Sequence, residues 1–134
     1  MASSFNAIKN YLCGPRVKGS LIYENLSHNC RYTGLHGTRL HRIKEQIEKG
    51  KLDQHEKDFY VYSNWEWNAG KAAFWAKNKK DAVILEVGSD QPTIKNRAFN
   101  TLLFPKENQD LKILRVWKVS HSWLEKAWRH PPSD

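Results

Sequence analysis

The chain has 134 residues, enough for one domain that buries a core without disulfide or metal staples. With 40% hydrophobic and 27% charged residues it has the composition of a globular protein rather than a disordered one. No apolar run approaches the ~20 residues that cross a bilayer, so no membrane partner is expected, and the formal charge of +8 points instead to an acidic partner such as nucleic acid or a phosphate-bearing cofactor.

The segment Met1 to Phe5 lacks a basic stretch followed by an apolar one, so it does not read as a secretory signal. Cys13 and Cys30 are too few for a disulfide framework or a zinc ribbon, and they read as reduced thiols in a cytoplasmic setting. One disulfide between them is the alternative for an exported chain, and delivery into another cell or a nuclear location remains open. Phe5, Ile8 and Leu12 recur at helical spacing, with Gly14-Pro15 as a stop, which predicts a helix over about 3–13. Leu21-Ile22-Tyr23 reads as a short strand or turn and 25–30 as a loop. Leu35-His36-Gly37-Thr38 reads as a strand end.

Leu40, Ile43 and Ile47 make one apolar stripe, Glu45 and Lys49 an i,i+4 pair, and Gly50 a stop, so a helix is expected over about 39–49. Asp53 to Asp58 is a polar connection. Phe59-Tyr60-Val61-Tyr62 is strongly β in character. Ser63 and Glu66 form a capping box ahead of a helix with Ala69, Ala72, Ala73 and Ala76 on one face. Strands follow at 82–87, 99–104 and 111–119. A second capping box, Ser122 with Glu125, opens a last helix over about 122–130 that Pro131 and Pro132 end. The sum is a single α+β domain over 1–134 with its core at about 21–120.

In that order and spacing the chain resembles the NAD-dependent ADP-ribosyltransferase superfamily, in the branch whose signature is His, then Tyr, then Glu (the diphtheria-toxin and poly(ADP-ribose) polymerase type). Leu35-His36-Gly37-Thr38 is similar to the family's first strand, Phe59 to Tyr62 with the alanine-rich segment to its tyrosine strand and following helix, and 99–105 with 111–119 to the strand pair that closes the NAD cleft. The resemblance covers about two thirds of the chain, from Tyr32 to Val119. It implies a small, mostly antiparallel split sheet around an NAD cleft with short flanking helices.

It also implies a division of labour. His36 would hold a ribose hydroxyl of NAD, and the Gly37 backbone would pair with the nicotinamide carboxamide. Tyr60 would stack on the nicotinamide, where an electron-rich ring suits a cationic heterocycle. Tyr62 is the competing residue for that role. Thr38 and Arg39 would reach the adenosine side or the diphosphate, and Ala69 would line the cofactor site. The family's catalytic glutamate falls on Thr101, or on Asn100 with a one-residue shift, and neither supplies a carboxylate. Glu107, Asp110 and Glu86 are the nearby acids.

The resemblance therefore implies mono-ADP-ribosyl transfer, with NAD as substrate and a protein or nucleic acid as acceptor, rather than polymer growth. An NAD hydrolase and a silent NAD binder are its neighbours, and a small stand-alone transferase domain suits a toxin or effector. A basic nucleic-acid-binding module using Lys77, Lys79, Lys80 and exposed tryptophans is the reading from another class. His28, His41, His55, His121 and His130 have no metal-ligand spacing, so no metal is expected. Oligomeric state has no signature in the sequence.

Overall fold

A run buried along its whole length has to be an interior strand, and Ala82–Ser89 is one: all eight of its residues are buried. The computed structural model describes residues 11–13, 17–25, 27, 29–53, 56–63, 72, 81–96 and 101–119. Among them eight strands form one sheet: β1 (Tyr11–Cys13), β2 (Val17–Glu24), β3 (Tyr32–Arg39), β4 (Phe59–Ser63), β5 (Ala82–Ser89), β6 (Ile94–Asn96), β7 (Thr101–Phe104) and β8 (Lys112–Val119). Their order is β1-β2-β8-β5-β3-β4-β7-β6, with every pairing antiparallel. One helix, α1 (Leu40–Lys49), follows β3 directly. The architecture is α+β, mostly antiparallel sheet.

Side chains alternate along each strand, so the register sorts the sheet into two faces. On the α1 face, Val83, Leu85 and Val87 of β5 join Val116 and Ile113 of β8, Val61 of β4 and Phe104 of β7. Ile43 of α1 closes this core, with Leu40 and Ile47 packed against it. On the opposite face lie Ile84, Trp117, Leu35 and Tyr62, all buried. Burying each such side chain contributes about 1.5–3 kcal/mol.

Gly50 ends α1 in the left-handed region (φ 72°, ψ 15°), and its N–H returns to the Ile47 carbonyl at 3.0 Å. Leu52 N–H then bonds the Leu111 carbonyl at 2.9 Å and Ile113 N–H the Gly50 carbonyl at 3.0 Å, which ties the helix end to β8. The expected Glu45–Lys49 pair gives way to Lys49–Asp53 at 2.9 Å, because the chain beyond the cap brings that carboxylate within reach.

Other expectations shift at their edges. Tyr11–Cys13 is a strand paired with β2, where the sequence pattern predicts the end of a helix. An edge strand's hydrogen bonds to β2 outweigh a short helical stripe there; the rest of that helix lies outside the described residues. β2 runs through Gly19 and Ser20 instead of starting after them, and β5 continues through Gly88 and Ser89. Gly88 packs on Cys30, where a Cβ would come within 2.7 Å of the Cys30 Cβ. Cys30 is a free thiol. The short strand β6 was not anticipated. Ala72 is helical and buried, while the remainder of the alanine-rich helix and the last helix lie outside the described residues. Among the described residues no helix is long and apolar enough to cross a membrane.

Candidate functional site

β3 pairs with β5 along all eight residues but with β4 at two positions only, Gly34–Ser63 and Leu35–Tyr62. The two strands can approach there because Gly34 has no side chain. A Cβ at that position would lie 2.7 Å from the Cβ of Val61. Beyond Leu35 the ladder stops, although β4 continues back to Phe59 alongside β7. The sheet is split at this point.

His36 stands at the mouth of the split, in the middle of β3 rather than at its end. Its Nδ1–H donates to the Tyr60 carbonyl at 2.8 Å, so a side chain makes the link where a ladder rung would come next. A carbonyl only accepts, so this bond sets the tautomer: the proton is on Nδ1 and Nε2 keeps its lone pair. The ring also lies against Phe59, with centroids 4.3 Å apart and planes tilted by 35°. His36 shares a cross-strand row with Leu85 and Val116 on the α1 face. Burial among those groups pushes its pKa below the usual imidazole range, and the bond to Tyr60 opposes that shift only in part.

Gly37 and Tyr60 belong to the opposite face. Tyr60 is register partner to Leu103, and Leu103 to Ile94. Tyr60 is 50% exposed and Ile94 53%, so this row on the β4-β7-β6 wing stands open. Imidazole and phenol therefore point to different sides of the sheet, and the two residues meet through the Tyr60 backbone. Tyr62 lies on the same face as Tyr60, two residues on, and burial is what separates them: Tyr62 is 6% exposed. The two tyrosines share a face and differ in exposure.

Thr101 opens β7, and continuing the β4–β7 register by one residue sets it opposite Tyr62. Glu107 is exposed in the turn after β7, at the far end of that strand from Thr101. Asp110 is taken by Lys112 at 2.7 Å and Lys51 at 3.8 Å. Thr38 and Arg39 follow Gly37 to the end of β3, paired with Val83 and Ala82. Ala69, Asn100, Lys77, Lys79 and Lys80 lie outside the described residues. Among the described residues no group of three or more His, Cys, Asp or Glu could hold a metal ion.

Two polar clusters were missed by sequence reasoning. Arg115 donates from Nε to Glu24 at 2.8 Å and from Nη1 to Glu86 at 2.7 Å, across β2, β8 and β5. Glu86 is 2% exposed and directly opposite Leu35. Burial works to lower the Arg115 pKa, but its bonds to both carboxylates carry it above the ordinary value. The signal was present as a lone acid, Glu86, in the apolar strand β5, and as Arg115 set between apolar neighbours in β8. The second cluster is His41 with Asp81, Nδ1 to Oδ2 at 2.6 Å, and Asp81 also accepts the His41 backbone N–H at 3.0 Å. No family model, curated protein or solved structure matches the chain.

Proposed function

We propose that the chain is an NAD-dependent mono-ADP-ribosyltransferase of ADP-ribosyltransferase fold, with its NAD cleft at the β3–β4 split. The observation that carries the reading is the junction itself: a ladder that ends at Leu35–Tyr62, an imidazole linking the parted strands, and the side-chain-free Gly37 on the same face as the exposed Tyr60. A bare backbone beside an exposed phenol ring suits a flat carboxamide-bearing heterocycle, hydrogen-bonded at its edge and stacked on its face. His36 faces the other side of the sheet, so in this reading its part is to hold the parted strands through the Tyr60 carbonyl rather than to bind a ribose hydroxyl.

In this reading the nicotinamide–ribose bond breaks heterolytically, nicotinamide leaves with the bonding pair, and a nucleophile on a protein or nucleic acid attacks the anomeric carbon. The protein's contribution is orientation. Thr101 stands where the family has its glutamate, so stabilisation of the developing positive charge is weak and the acceptor's nucleophile carries more of it. That favours single transfers over polymer growth. A time course of nicotinamide release from NAD by the purified protein tests the reading. Release above blank that is lost in Tyr60→Ala supports it. NAD-induced thermal stabilisation without release supports a silent binder, and neither effect rejects both.

A further inference from the structure

The end of the sheet where α1 begins carries a second polar surface, which shares only Thr38 with the candidate cofactor site. Ser20 of β2 pairs with Lys118 of β8, Lys118 with Val83 of β5, and Val83 with Thr38 of β3. Register sets these four in one row on the α1 face, and both Ser20 and Lys118 are exposed. Val83 in that row is buried in the core, so the row offers solvent Ser20 and Lys118 as exposed neighbours about 4.8 Å apart, with half-buried Thr38 at its other end. Asp81, next to β5, holds His41, and the His41 side chain is 58% exposed. Lys118 is close enough to help lower the Asp81 pKa, after burial, which raises it, and the His41 bonds, which lower it.

Cations collect here against the usual rule for a helix start. The first turn of α1 contains no acid, and it carries His41 and Arg42 where the dipole favours carboxylates. The helix end itself offers no anion site, because the N–H groups of Leu40 and His41 are already bonded to Asp81. Among the described residues at the opposite end of the sheet, Lys49 is paired with Asp53, and Lys51 and Lys112 with Asp110.

We propose that Lys118, Arg42 and His41, with the hydroxyls of Ser20 and Thr38, bind the phosphodiester backbone of a polynucleotide. Lys and Arg neutralise phosphates and release counterions, and the hydroxyls donate to non-bridging oxygens. Nothing in this surface reads bases, so binding is sequence-independent and salt-sensitive. The surface lies on the face opposite Gly37 and Tyr60, and it stands whether or not NAD binds.

The test is fluorescence anisotropy with a labelled oligothymidylate, without NAD, titrated from about 50 to about 200 mM salt. Wild type is expected to bind more weakly as salt rises. The double variant Lys118→Ala with Arg42→Ala should bind roughly tenfold more weakly, with the log–log salt slope reduced by about 1.4. The charge-matched control Lys51→Ala with Lys57→Ala should change affinity less than about twofold. If the first variant melts lower than wild type, Lys118→Gln with Arg42→Gln replaces it under the same criteria. No saturable binding at the lowest salt, an unaffected first variant, or an equal loss in the control overturns the proposal.

Discussion

Replacing Gly34 by alanine puts a methyl group at the last point where β3 and β4 touch. Its carbon would lie 2.7 Å from Val61 Cβ and 3.3 Å from the Tyr62 carbonyl oxygen. Carbon pairs rest at about 3.5–4.0 Å, so about an ångström must be found. Val61 is 2% exposed in the main core and cannot swing into solvent. The expected cost is about 1–3 kcal/mol, a large share of an ordinary 5–15 kcal/mol stability. Val61→Ala alone should cost about 2 kcal/mol through lost burial and a partly collapsed cavity. In the double variant the nearest clash, with Val61 Cγ2, is gone while the one with Cβ stays, so the combined cost falls short of the sum by about 1 kcal/mol. Urea unfolding of the four proteins measures this cycle. Additive effects, or a Gly34→Ala protein as stable as wild type, would show that the strands do not meet as described.

Other contacts give further outcomes. His36→Phe keeps a ring against Phe59 but removes the bond to the Tyr60 carbonyl, so it should cost about 1 kcal/mol in chemical denaturation, and His36→Ala about 1 kcal/mol more through the lost ring pair. Because the folded state holds the His36 pKa low, its share of stability is complete above the unfolded value of about 6.5 and declines as pH falls below it; thermal melts from neutral to acid pH should show a loss that is smaller in His36→Phe. Arg115→Met leaves the buried Glu86 without its guanidinium and should cost about 3–5 kcal/mol at neutral pH. That variant's Glu86 pKa would rise, so its deficit relative to wild type should shrink as pH falls toward about 4; a deficit independent of pH speaks against a buried carboxylate.

Much of the fold was legible because local pattern and tertiary packing agreed. The Leu40, Ile43 and Ile47 stripe with Gly50 gave the helix to within a residue, since the stripe does face the core and the glycine does take a positive φ. The apolar run at 82–87 gave the central strand, and the runs before Pro105 and up to Val119 gave β7 and β8. What failed had its cause in pairing between distant segments. Tyr11–Cys13 takes its conformation from β2, and Lys49 chooses Asp53 over Glu45 because the chain turns back at Gly50. At the candidate site the roles of His36, Gly37 and Tyr60 came from the family resemblance. The sides these residues take were not legible, because sequence fixes alternation within a strand but not the register between strands. The same limit hid the ion pairs of Arg115 and the link from Asp81 to His41, both made between residues far apart in the chain.

The claim at the centre of this account is that nicotinamide enters beside Gly37 and Tyr60. Amide chemical shifts of labelled protein titrated first with nicotinamide and then with NAD address it directly. The account predicts saturable shifts at Gly37, Thr38 and Tyr60, with Gly50 and Lys112 unmoved at the far end of α1 and the start of β8. Shifts confined to other segments, or none at millimolar ligand, would contradict it.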